Sequence, residues 1–239
     1  MSSSCRAADV GAVLEDAKLY VTAPVRWDRN DWLYAGGAVL AVAAAHHYDD
    51  SVRQHFAGSA PPDRQDTHST KDALPAAIAV AGTWALAWVL DDSAGYRETR
   101  NMLEAGAFSV ITTVVLKQVA GRERPNVTAD NNALFKHGSS FPSLHVSAAM
   151  AIGTVLAESG GDDYRWVRRG LGYGLGMATA YVRLQHQQHW FSDTVAGAAL
   201  GMATARFVLN RNHPDAAQSS LLLLPAEGGV MLSYAAAFH

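Results

Sequence analysis

"GMATAYVRLQHQQHWFSDTVAGAALG", residues 176–201, decides how the chain is read. Its outer parts are apolar and rich in alanine and glycine, and the charges Arg183 and Asp193 fall at their inner ends. Between them lies "QHQQH", residues 185–189, with no apolar periodicity. Two helices joined by a short polar turn account for this pattern, because small residues let helix axes approach closely. One helix is expected to end near Leu184 and the next to run from about Phe191 to Asn210.

The same alternation of small apolar runs and polar breaks extends outward. Helical pattern covers about Asn30–Phe56, and Thr70 is placed to cap a helix reaching Leu90. Another helix is expected over Tyr96–Ala120, and one capped by Ser143 runs to Glu158. The breakers are "GSAPPDRQDTHST" at 58–70, "DDSAG" at 91–95 and "SGGDDY" at 159–164. Gly121–Pro142 reads as a long ordered loop, the kind usually kept for function. In the tail, "SLLLLPAEGGVMLSYAAAF" at 220–238 has two apolar runs around Glu-Gly-Gly, which suggests a small β-hairpin or a short packing helix. The expected fold is all-α: a single-domain helical bundle over residues 29–212, with an N-terminal extension (1–28) and a tail (213–239).

At 239 residues and 49% hydrophobic content, the chain can bury a sizeable core. Net charge is −3 with no long basic run, so a nucleic-acid footprint is absent. Arg165, Arg168 and Arg169, just after Asp162 and Asp163, read as a solvated turn and helix start. A single cysteine, Cys5, excludes an intramolecular disulfide. The first residues, "MSSSCRAADV", hold no apolar core of the export-signal kind. Ala73–Leu90, 18 residues long, can just cross a bilayer, but the mean hydropathy of −0.01 is low for a protein with many spans. A water-soluble helical domain, exported or peripherally attached to a membrane surface, is therefore expected, with an integral membrane protein as the alternative.

Polar residues that interrupt apolar helices carry the chemistry. Lys117 ends one helix, Arg124 precedes Pro125, His145 follows "FPS" and Arg183 ends another helix. Helices packed side by side bring such ends to one face, where two arginines and a lysine make a pocket for a multiply charged anion. Backbone N–H groups opening the Ser143 helix add donors. His189 and Asp193 are four apart and share a helical face, so the carboxylate can fix the ring's tautomer and leave Nε2 to attack. His145 is then placed to protonate a leaving alkoxide. Together these describe metal-free phosphoryl transfer. His186 and His189 have metal-ligand spacing, but no cysteine or carboxylate cluster completes such a site in sequence. Arg122 either touches the substrate or the rim of its pocket or lies on the surface, and His137 is placed to line the entrance. His46 and His47 are expected to meet the helix dipole or solvent, and Phe141 and Trp190 to pack.

Three ordered segments carry a resemblance. "KQVAGRERP" fits K-x6-R-P, "PSLH" is similar to P-S-G-H, and "VRLQHQQHWFSD" fits R-x5-H-x3-D. The chain resembles the type-2 phosphatidic acid phosphatase superfamily, with its bacterial class A acid phosphatases and vanadium haloperoxidases. The resemblance implies that Lys117, Arg124 and Arg183 bind phosphate oxygens. Ser143 would add its side chain and Leu144 its backbone N–H. His145 would be the general acid and His189 the nucleophile, oriented by Asp193. It implies a phosphatase acting on phosphorylated small molecules or lipids, needing no cofactor and binding vanadate as a phosphate mimic. A vanadate-dependent haloperoxidase and a non-catalytic anion-binding or membrane-associated protein are the alternatives. Leu144 stands where the family most often has glycine, and Val182 where it has serine; both bear on substrate range more than on chemistry.

Overall fold

A computed structural model describes residues 18–58, 73–161, 164–212, 220–226 and 229–235. Seven α-helices are described: α1 Arg29–His47, α2 Asp49–Phe56, α3 Leu74–Leu90, α4 Ser93–Ala120, α5 Leu144–Glu158, α6 Arg165–Gln185 and α7 Phe191–Asn212. Two strands, β1 Ser220–Ala226 and β2 Gly229–Ala235, pair antiparallel from Ser220↔Ala235 to Ala226↔Gly229. Backbone contacts divide the chain into Ala38–Pro214 and a second unit of Met1–Gly37 with Asp215–His239. In that second unit a 3-10 turn, Ala23–Arg26, precedes α1. Asp28 and Asp31 cap the start of α1 reciprocally, each side chain accepting from the other's backbone N–H at 2.9 and 3.1 Å.

Within Ala38–Pro214, α5 is the central helix and packs against α4, α6 and α7. It carries no charge before Glu158 except the histidine at its start, so it can be enclosed on most sides. Met102 and Ala105 of α4, Val146, Ala151 and Val155 of α5, and Ala205 and Val208 of α7 are fully buried around it. Close approach depends on glycine. A Cβ on Gly172 of α6 would overlap the Gly153 carbonyl oxygen of α5, and the reverse holds for Gly153. Three hydroxyls inside this core satisfy one another: Ser147 on α5 bonds to Ser109 and Thr113 on α4.

Helix ends are set by short-range chemistry. Asp92 caps α4, its carboxylate accepting from the N–H groups of Ala94 and Gly95 at 2.8 and 3.1 Å. Gly121, at φ 53°, ends α4 in the left-handed conformation and donates its N–H to Lys117 O. Lys117 thus sits in the last turn, beside the Gly121–Pro142 loop. That loop is ordered by its own backbone bonds, among them Glu123 N–H to Ala133 O at 3.0 Å and Ser140 N–H to Arg122 O at 2.9 Å.

The structure corrects two sequence expectations and leaves a third outside the described residues. The single helix over Asn30–Phe56 is two, broken at Tyr48, whose N–H bonds to Ala45 O. The Thr70 cap lies outside the described residues, and α3 starts at Leu74 with Pro75 in its first turn. Arg168 and Arg169 are paired with Glu98 and Glu158 at 2.6 and 2.9 Å, so they fasten α6 to α4 and α5.

Large apolar side chains cover the outside of two helices. On α3, Ile78, Trp84, Leu86, Trp88, Val89 and Leu90 are more than half exposed. On α4, Leu103, Ile111, Val115 and Val119 are likewise exposed. Among the described residues α4 is the one helix long and apolar enough to cross a membrane.

Candidate active site

Four helix ends, one loop and one turn meet at the polar end of the bundle. Lys117 comes from the last turn of α4, Arg124 from the following loop, and Ser143, Leu144 and His145 from the start of α5. Arg183 closes α6, His189 lies in the α6–α7 turn and Asp193 in the first turn of α7. Ser143 N–H donates to the Asp193 carbonyl at 3.0 Å, which joins the α5 start to the α7 start. Burial pushes His189 well below its ordinary pKa, and the positive groups Lys117, Arg183, Arg124 and His145 push it the same way. All five therefore share one electrostatic neighbourhood, and the ring is held neutral.

The cations are fixed by neutral acceptors. Lys117 Nζ donates to the carbonyls of Ser139 and Ser140 at 2.5 and 3.3 Å. Arg124 and Arg183 are both buried, and both donate to one atom, Gln188 Oε1, at 2.7 and 2.8 Å. Arg124 also donates to Ser139 Oγ at 3.3 Å. Burial, and then the charge of Arg183, lower Arg124 to about 10, so it stays cationic at neutral pH. Two like charges sharing one carboxamide oxygen are well disposed toward a further anion. Arg124 Nε, Ser143 Oγ and His189 Nδ1 are buried with no hydrogen-bond partner. Such orphaned polar atoms are costly and are typical of binding sites. Ser143 occupies the N-cap position of α5, but its side chain makes no cap bond.

Asp193 stands behind the His189 ring, with Oδ2 3.6 Å from Nδ1. This is beyond hydrogen-bond distance. Its oxygens are already occupied: Oδ2 accepts from Ser140 Oγ and from Trp190 N–H at 2.9 Å, and Oδ1 accepts from Arg122 Nη1 at 2.6 Å. The carboxylate is therefore rigidly placed and faces Nδ1; burial raises its pKa, while the charge of Arg122 and the hydrogen bonds from Ser140, Trp190 and Arg122 oppose that rise and favour the ionised form.

Three participants, Gln188, Ser140 and Asp49, escaped the sequence reading, and a fourth, Arg122, takes a role it did not weigh. Arg122 is 3% exposed and bridges Asp193 to Asp49, so it is neither rim nor surface. Its alternation with Arg124 in "GRERP" gives no sign of which arginine faces inward. Gln188 and Ser140 are missed because amides and hydroxyls look ordinary in a polar loop. Asp49 is missed because it sits in an apparently continuous helix, although "DD" at a helix start is a recognisable signal. His46 does not simply face solvent: its ring nitrogens meet Asp49 Oδ2 at 2.9 Å and Asn132 Oδ1 at 3.1 Å. His186, half-buried, is the C-cap of α6, and His137 is exposed at φ 59°. Trp190 is 1% exposed and packs as expected, with its indole N–H on Glu123 O at 2.9 Å. Among the described residues no group of three or more histidine, cysteine or acidic side chains is disposed to hold a metal.

The chain is 26% identical over 216 residues to a lipid A 1-phosphatase of Porphyromonas gingivalis, an alignment that covers 84% of this chain and 44% of the relative. The chain thus spans less than half the length of that relative. No solved structure matches it. The family model of the PAP2 superfamily matches residues 99–215, which hold every candidate residue from Lys117 to Asp193, and the chain belongs to that superfamily.

Proposed function

We propose that this chain is a metal-independent phosphatase that removes phosphate from a membrane lipid through a phosphohistidine at His189. One observation carries the reading: three cations from three separate segments surround a neutral, buried imidazole with a fixed carboxylate behind it. Lys117, Arg124 and Arg183 hold the phosphate oxygens and stabilise the charge that spreads over them in the transition state. Ser143 Oγ and the Leu144 N–H complete the cradle. His189 Nε2 attacks phosphorus as the P–O bond to the leaving group breaks, and His145 gives that oxygen its proton. Water then attacks the P–N bond, His145 takes the water's proton, and inorganic phosphate and free His189 result.

The lipid substrate is supported by the name of the Porphyromonas gingivalis relative and by the exposed apolar faces of α3 and α4. Those faces favour a membrane-embedded enzyme over the water-soluble one that mean hydropathy suggests. The test is hydrolysis of p-nitrophenyl phosphate and of a lipid phosphate, lipid A first, in detergent with excess chelator. Turnover inhibited by vanadate is expected, and His189→Ala should lower it by roughly 10³-fold or more. Full activity in that variant would remove His189 as the nucleophile.

A further inference from the structure

Asp49 is a buried acid with no part in the chemistry above. It opens α2, is fully buried, and lies fifty residues upstream of the family-matched segment. Its Oδ2 accepts from Arg122 Nη2 at 2.7 Å and from Ser192 Oγ at 2.7 Å, and its Oδ1 accepts from Ser192 N–H at 2.8 Å. Arg122 turns its other terminal nitrogen to Asp193 Oδ1 at 2.6 Å and to Ser192 Oγ at 2.8 Å. Its Nε and Nη2 also donate to Asn131 O at 3.1 and 2.5 Å, and the guanidinium lies 5.3 Å from the Trp190 ring centroid. Every face of the fork is held, so it cannot rotate.

We infer that Asp49 and Arg122 are positioning residues that fix Asp193 behind His189 and preserve its negative charge toward the ring. The inference rests on the reading of His189 as nucleophile.

The reason is charge balance in a dry site. An arginine paired with Asp193 alone would neutralise it, and little field would reach His189 at 3.6 Å. Asp49 shares that arginine, so the trio of two carboxylates and the guanidinium carries one net negative charge; His46 of α1, whose Nδ1 lies 2.9 Å from Asp49 Oδ2 and 3.3 Å from Arg122 Nη2, is the further titratable group packed against them. The ring faces Lys117 from α4, Arg124 from the loop, His145 from α5 and Arg183 from α6, with Asp193 opposing them from α7. Attack by Nε2 makes the ring positive. The net charge of the trio then opposes four repulsive neighbours at the moment it matters most. Ser192, bonded to both Asp49 and Arg122, ties the first turn of α7 to the same frame.

Asp49→Asn keeps the shape and removes the charge. With p-nitrophenyl phosphate, kcat is expected to fall about 10–100-fold with KM changed by less than about 3-fold, by analogy with the outer-shell partners of metal-ligating histidines. The acid limb of the pH–kcat/KM profile should move to lower pH, because the ring becomes harder to protonate. A readout without turnover is binding of vanadate, which bonds to the nucleophile, against inorganic phosphate, which needs only the cations. Vanadate affinity should drop about 10-fold while phosphate affinity stays within about 2-fold. Ser192→Ala, which leaves both charges in place, should show the same pattern at smaller size, and it decides the matter if Asp49→Asn does not fold. Unchanged kcat and vanadate affinity, or equal losses for vanadate and phosphate, would overturn the inference while leaving His189 as nucleophile. An unaltered protein that hydrolyses nothing and binds vanadate no tighter than phosphate would overturn the nucleophile reading, and the inference with it.

Discussion

At the scale of single residues, Gln188 shows how a neutral group can organise charge. Its Oε1 is the common acceptor of Arg124 and Arg183. Hydrogen bonds to charged donors are worth about 1.5–3 kcal/mol, so losing this acceptor should loosen both forks. Gln188→Leu is expected to raise KM for p-nitrophenyl phosphate about 10-fold with kcat within about 3-fold. Gln188→Glu should weaken inhibition by inorganic phosphate further, because a carboxylate would then occupy the arginines. Steady-state kinetics on both variants checks this. His189 supplies a pH prediction. Its pKa in the fold lies well below the ordinary value because of burial and neighbouring cations. The unfolded chain therefore binds the proton more readily, and stability falls as pH drops below the unfolded value, about 6.5. The neutral nucleophile also persists, so the acid limb of kcat/KM should lie below pH about 6.5. Thermal melts of the unaltered protein and His189→Gln between pH 5 and 7.5, roughly the range where an ordinary histidine titrates, should converge as pH falls. Lys117, Arg124, His145, Arg183, His189 and Asp193 stand out in sequence because each is a charge or a histidine at the end of an apolar helix or in the loop or turn beside it. Gln188, Ser140 and Asp49 do not, because their significance lies in which atoms they meet, most of them across gaps of 53 to 143 residues.

Among the elements, the α5–α6 crossing is the contact that most depends on the absence of side chains. Gly153 and Gly172 face each other so closely that a Cβ on either would overlap the other's carbonyl oxygen. Backbone cannot yield as a flexible side chain can, so Gly172→Ala must part the helices, at a cost of about 1–3 kcal/mol. Gly174, two residues on in the same helix, has open space where a Cβ would stand, with nothing within 4 Å. Gly174→Ala should instead stabilise α6 by about 0.5–1 kcal/mol through helix propensity alone. Opposite shifts in the unfolding midpoint of the two variants would establish the crossing; equal shifts would count against it. The sequence showed small residues and hence close packing, but spacing alone does not tell which glycines face a neighbour. The same limit hid the break at Tyr48. No glycine or proline marks it, and Asp49, the first residue past it, is held by Arg122 and Ser192, which lie far along the chain.

For the whole molecule, the decisive quantity is where the apolar surface lies, and an average over the chain conceals it. Mean hydropathy is −0.01 because polar loops and termini dilute the helices. The outward faces of α3 and α4 carry Trp84, Leu86, Trp88, Ile111, Val115 and Val119 in exposed positions. A monomer in water rarely leaves so extended an apolar surface uncovered. The 28 residues of α4 extend about 42 Å, enough to cross the roughly 30 Å hydrocarbon core of a bilayer. A charge placed on these faces separates the two environments. In water, Ile111→Lys on an exposed position should change stability by no more than about 0.5 kcal/mol and improve solubility. In lipid, a lysine midway along α4 should cost about 2.5–3.5 kcal/mol of insertion. The expected result is that the unaltered protein resists carbonate extraction and needs detergent, whereas Ile111→Lys loses membrane-associated yield. A freely soluble, monomeric protein in which Ile111→Lys behaves normally would reverse the assignment. That outcome would spare the chemistry, which rests on the charged and imidazole groups of the site and not on the exposed apolar side chains beside them, but it would remove the main structural reason for choosing a lipid as the leaving group.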